Sequence, residues 1–265
     1  MLYLRGVIST RYWPLGVDVY PTWNGTRAMW LGENPYSSQV QLETQQLIHG
    51  RPSQPDEDSF WFYYPPYIAV ITLPLVFLPV QDAAVVMAAT LCALLLALIV
   101  LWAWELKPRP APWLFALVLL SGILFRPAVI SIINGQYALF IVACGALAWW
   151  LIGRKQDFAA GALLAFATFK PSVALFVPLV LLAWAARWKR WRLLISFAAS
   201  MFLLVVLPIL RIGWWPPEFI RQTLAFTAMH RGEGMALAWL PEQIATVPGI
   251  IWLGGTLALL GIGIL

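Results

Sequence analysis

Ala83-Ala-Val-Val-Met-Ala-Ala-Thr-Leu-Cys-Ala-Leu-Leu-Leu-Ala-Leu-Ile-Val-Leu-Trp-Ala-Trp104 runs for 22 residues without an Asp, Glu, Lys, Arg or His. A helix needs about 20 apolar residues to cross the hydrocarbon of a bilayer, so this stretch decides the class of fold. Comparable runs follow at 112–130, 136–152, 158–186, 193–212 and 248–265, and a shorter one at 66–80 is interrupted by Pro66, Pro74 and Pro79. The bulk composition agrees. Of 265 residues, 61% are hydrophobic and only 11% charged, against about 25% charged in an average soluble domain. Mean hydropathy is +0.77. These values exclude a soluble globular enzyme, a disordered tail and a disulfide-knit secreted module. They predict an all-α protein, a polytopic transmembrane helical bundle.

The net charge of +5 would suggest nucleic acid in a soluble chain. In a membrane protein it records orientation instead, because cytoplasmic loops hold an excess of Lys and Arg, and no nucleic-acid partner is expected. Cys92 and Cys144 sit inside apolar runs with no spacing for metal or redox work. Residues 1–16 include Arg5, Arg11 and Pro14 and lack the apolar core of a signal peptide. There is no HExxH, CxxC, P-loop or GxGxxG, so neither a catalytic metal nor a nucleotide site is expected.

The chain reads as two parts, a polar segment over 1–66 and a membrane bundle over 67–265. Three short basic clusters set the orientation: Lys107 and Arg109; Arg154 and Lys155; Arg187, Lys189, Arg190 and Arg192. All three fall on the cytoplasmic side if 66–80 is a shallow or re-entrant piece and 158–186 is a hairpin turning at Lys170-Pro171, where proline ends a helix. Asp18, the loop from Arg126 to Gln136, Lys170 and the loop 213–247 then share the extracytoplasmic side. Residues 17–66 hold six of the 12 acidic residues. Within them, 19–31 and 37–49 read as interfacial helices in a long first outer loop, the first with Tyr20, Trp23 and Trp30 toward one side. Gly32-Glu-Asn-Pro35 breaks the chain between them.

Four stretches carry a resemblance: Asp18-Val-Tyr-Pro…Leu31-Gly-Glu-Asn-Pro-Tyr36, Tyr63-Tyr-Pro-Pro66, Asn134-Gly-Gln136, and Gly161…Phe169-Lys-Pro171 followed by a basic loop. In this order, over roughly residues 16–195, the chain resembles glycosyltransferase family 87, which has the GT-C membrane fold and includes polyprenol-phosphate-mannose-dependent mannosyltransferases. That family has a transmembrane helix before the aspartate and continues past the length seen here, so the chain reads as a fragment lacking the first and last helices. The resemblance implies an integral enzyme of a bacterial-type cytoplasmic membrane, with its active site on the extracytoplasmic side. It would move mannose or a related sugar from a lipid-linked sugar donor, a polyprenyl phosphate, to a glycan or glycolipid acceptor, amid membrane lipid and with no dissociable cofactor.

Each candidate residue also has a plainer reading. Asp18 matches the family's proposed base, which removes the proton of the attacking hydroxyl; aspartate is equally a favoured N-cap for a helix at 19–31. Lys170 would steady the donor phosphate, or snorkel from a helix break to the headgroups. Arg126 offers a second phosphate contact or an interfacial anchor ending run 112–130. Gln136 and Asn134 would contact sugar or acceptor, or form only a turn. Tyr20 and His230 join them as candidate sugar or acceptor contacts, and Asp56-Glu-Asp58 reads as a solvated acidic run. The alternative from another class is a non-enzymatic transporter or flippase of a lipid-linked or small polar substrate, since interrupted helices often build such sites. The long polar loop and the lack of an internal repeat weigh for the transferase.

Overall fold

A computed structural model of the chain describes residues 14–54, 57–105, 111–170 and 176–229. By packing, the chain divides into Met1–Phe219 and Ile220–Leu265; what is described of the second is the end of one helix, up to Met229. Run 248–265 and His230 lie outside the described residues.

The described residues are helical, with no strand among them. In order come α1 (Val19–Leu31), α2 (Ser38–His49), a short-turned segment Pro66–Phe77, α3 (Val80–Glu105), α4 (Pro112–Leu124), α5 (Arg126–Asn134), α6 (Ala138–Gly153), α7 (Asp157–Phe166), α8 (Phe176–Arg187), α9 (Trp191–Ile212) and α10 (Pro216–Met229). Helices α3 and α9 are each long and apolar enough to cross a membrane, and α4 with α5 makes a third candidate, bent by 49°. Much of their apolar surface has no cover: α4 buries none of its residues, and Leu120, Leu124 and Leu210 are 53%, 63% and 78% exposed. So much bare apolar surface belongs in lipid. The chain is a helical membrane protein.

Three differences from the sequence reading matter. Helix α1 begins and ends where the pattern predicts, yet it is no surface helix: ten of its 13 residues are buried within the protein. Its polar residues are tolerated there because each has a partner. Thr22 Oγ1 and Tyr137 Oη share a hydrogen bond of 2.6 Å, Asn24 Nδ2 donates to the Val40 carbonyl at 3.0 Å, and the hydroxyls of Thr26 and Thr72 meet at 2.6 Å. Second, run 112–130 does not end at Arg126. Pro127 breaks it by lacking an amide hydrogen, and α5 continues to Asn134, where Gly135 at φ 70° closes it. Third, the aromatic residues of the polar segment and the membrane helices build one core: Val19, Tyr20, Trp23, Phe62 and Tyr64 pack with Met87, Leu91, Tyr137 and Phe169.

Of the hairpin expected over 158–186, the two arms are described: α7, which continues as a tight turn through Phe169 to Lys170, and α8; the turn between them, 171–175, lies outside the described residues. Both α6 and α7 therefore run between two chemically distinct ends. Tyr137 and Phe169 mark one end, and Arg154 and Asp157 the other, about 24 Å away along the 16 residues of α6. A second core joins the helices at the far end, with Leu151, Ile152, Ala160, Leu164, Leu181 and Leu193.

Candidate functional site

Asp18 stands at the N-cap position of α1, but its side chain makes no capping hydrogen bond. The plainer reading of this residue therefore fails on geometry, and its carboxylate is free to serve another partner. That partner is Gln136, whose side chain hydrogen-bonds to it. Ser131 Oγ donates to Gln136 Oε1 at 3.3 Å, which leaves the Gln136 amide nitrogen as the donor toward Asp18. The backbone holds the two segments in register. The amide of Asp18 donates to the Asn134 carbonyl at 2.9 Å, and that of Gly16 to the Ile133 carbonyl at 2.7 Å.

Burial pushes the Asp18 carboxyl up from its ordinary value of 3.8 to about 6. The positive charge of Lys170 and the bond from Gln136 act against that rise, and the charge of Asp58 adds to it. A carboxyl poised near neutrality, part-way between acid and base, is what proton-transfer chemistry requires. Lys170 follows the tight turn that ends α7, and its Nζ lies 5.9 Å from the centre of the Tyr64 ring. Tyr64 in turn stacks edge-on to Tyr137, with ring centres 5.3 Å apart. Burial and the Asp18 charge both push the Tyr64 hydroxyl upward.

The motifs around these residues act as supports. Asn34 Oδ1 accepts from the Tyr36 amide at 2.9 Å, and Tyr36 Oη donates to the Tyr64 carbonyl at 2.7 Å. Leu31-Gly-Glu-Asn-Pro-Tyr36 thus fixes the backbone of Tyr63-Tyr-Pro-Pro66. Tyr67 Oη and Thr168 Oγ1 share a bond of 2.9 Å two residues before Lys170, and the Trp215 ring packs on Tyr67 at 6.4 Å.

Four separated stretches therefore meet around Asp18, Gln136 and Lys170. Asn134 contributes its carbonyl to the junction. Tyr20 is only 2% exposed and belongs to the core, so it presents no surface to an acceptor. Arg126 is exposed at the opposite end of α5 from Asn134, about 12 Å along the helix, and does not join the cluster. Two members escaped the sequence reading. Tyr64 lay within a quoted motif but without a role, and Asp58 was read as solvated, although its charge reaches Asp18. The only trace of Tyr64 was the unusual Tyr-Tyr-Pro-Pro string; for Asp58 there was none.

Comparison with known proteins gives one match. The model of Glycosyltransferase family 87 fits residues 62–265, while no curated protein and no solved structure matches. The matched span takes in Tyr63–Pro66, Asn134–Gln136 and Phe169–Pro171 and runs past residue 195, where the motif resemblance ends, to residue 265; Asp18 precedes it. With well over half of its length matched and an all-helical membrane fold, the chain belongs to glycosyltransferase family 87 and is a membrane glycosyltransferase.

Proposed function

We propose that the chain transfers a sugar, mannose or a related one, from a polyprenyl-phosphate donor to a glycan or glycolipid acceptor at the extracytoplasmic face of a bacterial-type cytoplasmic membrane. The observation that supports this reading best is Asp18 itself: an uncapping carboxylate, bonded by Gln136, poised at about pH 6 and within the field of Lys170. In the proposed step the acceptor hydroxyl oxygen attacks the anomeric carbon. The bond from that carbon to the phosphate oxygen breaks, its electron pair leaves on the phosphate, and Asp18 takes the hydroxyl proton. Attack opposite the leaving group inverts the anomeric centre. Lys170 stabilises the charge that gathers on the leaving phosphate, and no cofactor enters. Asp18 and Gln136 lie at the end of α6 away from Arg154 and Lys155, which is consistent with an extracytoplasmic site if those basic residues are cytoplasmic.

The test is a transfer assay in membranes with radiolabelled polyprenyl-phosphate sugars, comparing the parent with Asp18→Asn at equal expression. Loss of about 10²–10⁴-fold is expected on removing a general base. Full activity of Asp18→Asn would remove Asp18 from the mechanism. Failure of the parent with every carrier, together with uptake of a polar or lipid-linked substrate, would turn the reading toward a transporter.

A further inference from the structure

Helices α6 and α8 end in the same way, and neither end uses the residue that suits it. The amides of Lys155 and Gln156 return to the carbonyls of Ile152 and Leu151 at 3.1 and 2.9 Å, and those of Lys189 and Arg190 return to Ala186 and Ala185 at 3.1 and 2.8 Å. Each closure places a lysine in the left-handed region, Lys155 at φ 60° and Lys189 at φ 56°. Glycine usually takes this position, because a side chain there is strained. Two adjacent loops carry a lysine where glycine would fold more easily, and strain of this kind points to a use for the side chain.

The loops are tied to each other. Both terminal nitrogens of Arg190 donate to the Ile152 carbonyl, at 3.2 and 3.3 Å, and its guanidinium pairs with Asp157 at 3.2 Å. Arg154 pairs with Glu105 at 3.0 Å. Among the described residues at this end there are six cations, Arg154, Lys155, Arg187, Lys189, Arg190 and Arg192, and the two carboxylates are already engaged. Lys155 and Lys189 are exposed, as are Arg187 and Arg192.

The surroundings set the depth of these charges. Trp188 and Trp191 are 62% and 59% exposed beside the second loop, and Arg154 stacks 3.6 Å over the Trp150 ring. Exposed tryptophan gathered at helix ends belongs at headgroup level. The ammonium groups are therefore held where phospholipid phosphates lie, with no carboxylate among the described residues paired to them.

We propose that the paired loops 153–157 and 187–192 bind the headgroup of an anionic phospholipid, with Lys155 and Lys189 as its phosphate contacts. This site is at the opposite end of α6 and α7 from Asp18 and does not depend on the donor assigned above.

The left-handed geometry supplies a clean test. K155G/K189G deletes both ammonium groups and places in each loop the residue its backbone favours, so the fold is retained. The full chain is purified in neutral detergent, and lipid binding is followed by native mass spectrometry and by the shift in thermal unfolding. Phosphatidylglycerol is titrated against phosphatidylcholine, with inorganic phosphate as a separate arm. Phosphatidylglycerol is expected to bind the parent more tightly than phosphatidylcholine, and to bind K155G/K189G on the order of tenfold more weakly. K155Q/K189Q should show the same loss, and K155R/K189R should retain binding. Equal binding by parent and both uncharged variants would overturn the proposal, as would no preference over phosphatidylcholine. A response reproduced by inorganic phosphate would assign the site to free anions and overturn the lipid headgroup.

Discussion

The backbone amide of Asp18 donates to the carbonyl oxygen of Asn134 across 2.9 Å, so the start of α1 is joined to the end of α5 before any side chain is considered. Gln136, two residues past that junction, then reaches the Asp18 carboxylate. The position of the proposed base relative to its partner is thus set by main-chain bonds, which do not shift with rotamer.

Transfer should rise with pH through about 6 and level above it. Asp18 accepts a proton only as the carboxylate, and its carboxyl titrates at about 6. Lys170 lowers that value by its charge, so Lys170→Met should move the rising limb to higher pH as well as weaken use of the donor. A pH profile of transfer by parent and variant checks both; an unmoved limb would separate Lys170 from Asp18.

Asp18→Asn should melt at a higher temperature than the parent while losing transfer. The folded-state value of Asp18 lies above its ordinary 3.8, so between about pH 4 and 6 the folded chain holds more protons than the unfolded one, and parent stability falls as pH rises through that window. The neutral amide avoids this cost, which is worth roughly 1–3 kcal/mol above pH 6. Thermal unfolding at pH 5 and pH 7.5 should show the difference between the two proteins growing with pH.

Gly135→Ala should damage both stability and transfer. Its φ is 70°, and an added Cβ would stand 2.5 Å from Val19 Cγ2 and 3.1 Å from the Gly16 Cα. The positive φ strains any side chain at this position, and Val19 and the Gly16 backbone beside the Asp18–Asn134 junction must both give way, so a loss of about 2 kcal/mol is expected, read as a lowered unfolding temperature together with reduced turnover.

At Gly161 the neighbour is another helix. A Cβ there would lie 2.4 Å from the Leu193 carbonyl oxygen and 2.9 Å from the Phe197 nitrogen. Small residues allow membrane helices to approach in this way. Gly161→Val should separate α7 from α9 and lower stability, with the chain recovered from membranes at reduced yield.

Tyr36→Phe removes a donor from the buried Tyr64 carbonyl and should cost about 1–3 kcal/mol. Its effect on transfer should exceed that of Gln39→Ala on the exposed face of α2, since only Tyr36 supports the backbone of Tyr64. Comparing turnover per folded molecule for the two variants tests the distinction.

Local chemistry is enough to account for much of this molecule. Runs such as 83–104 force helices in lipid because no other spanning structure of so apolar a segment satisfies its own backbone. The end of α1 follows from Gly32, whose left-handed backbone at φ 85° closes the helix, and the four motifs come in recognisable order. Tertiary packing decided the rest. Whether Asp18 caps a helix or serves a site depends on Gln136, 118 positions away, and no periodicity reports such a contact. The enclosure of α1 depends on hydroxyl and amide partners on other elements, so its tryptophan and tyrosine pattern was equally compatible with the membrane interface. Tyr64 and Asp58 were silent for the same reason. A pKa and a cation–ring contact arise from desolvation and from charges brought close in space, and both depend on distances that the order of residues along the chain does not contain.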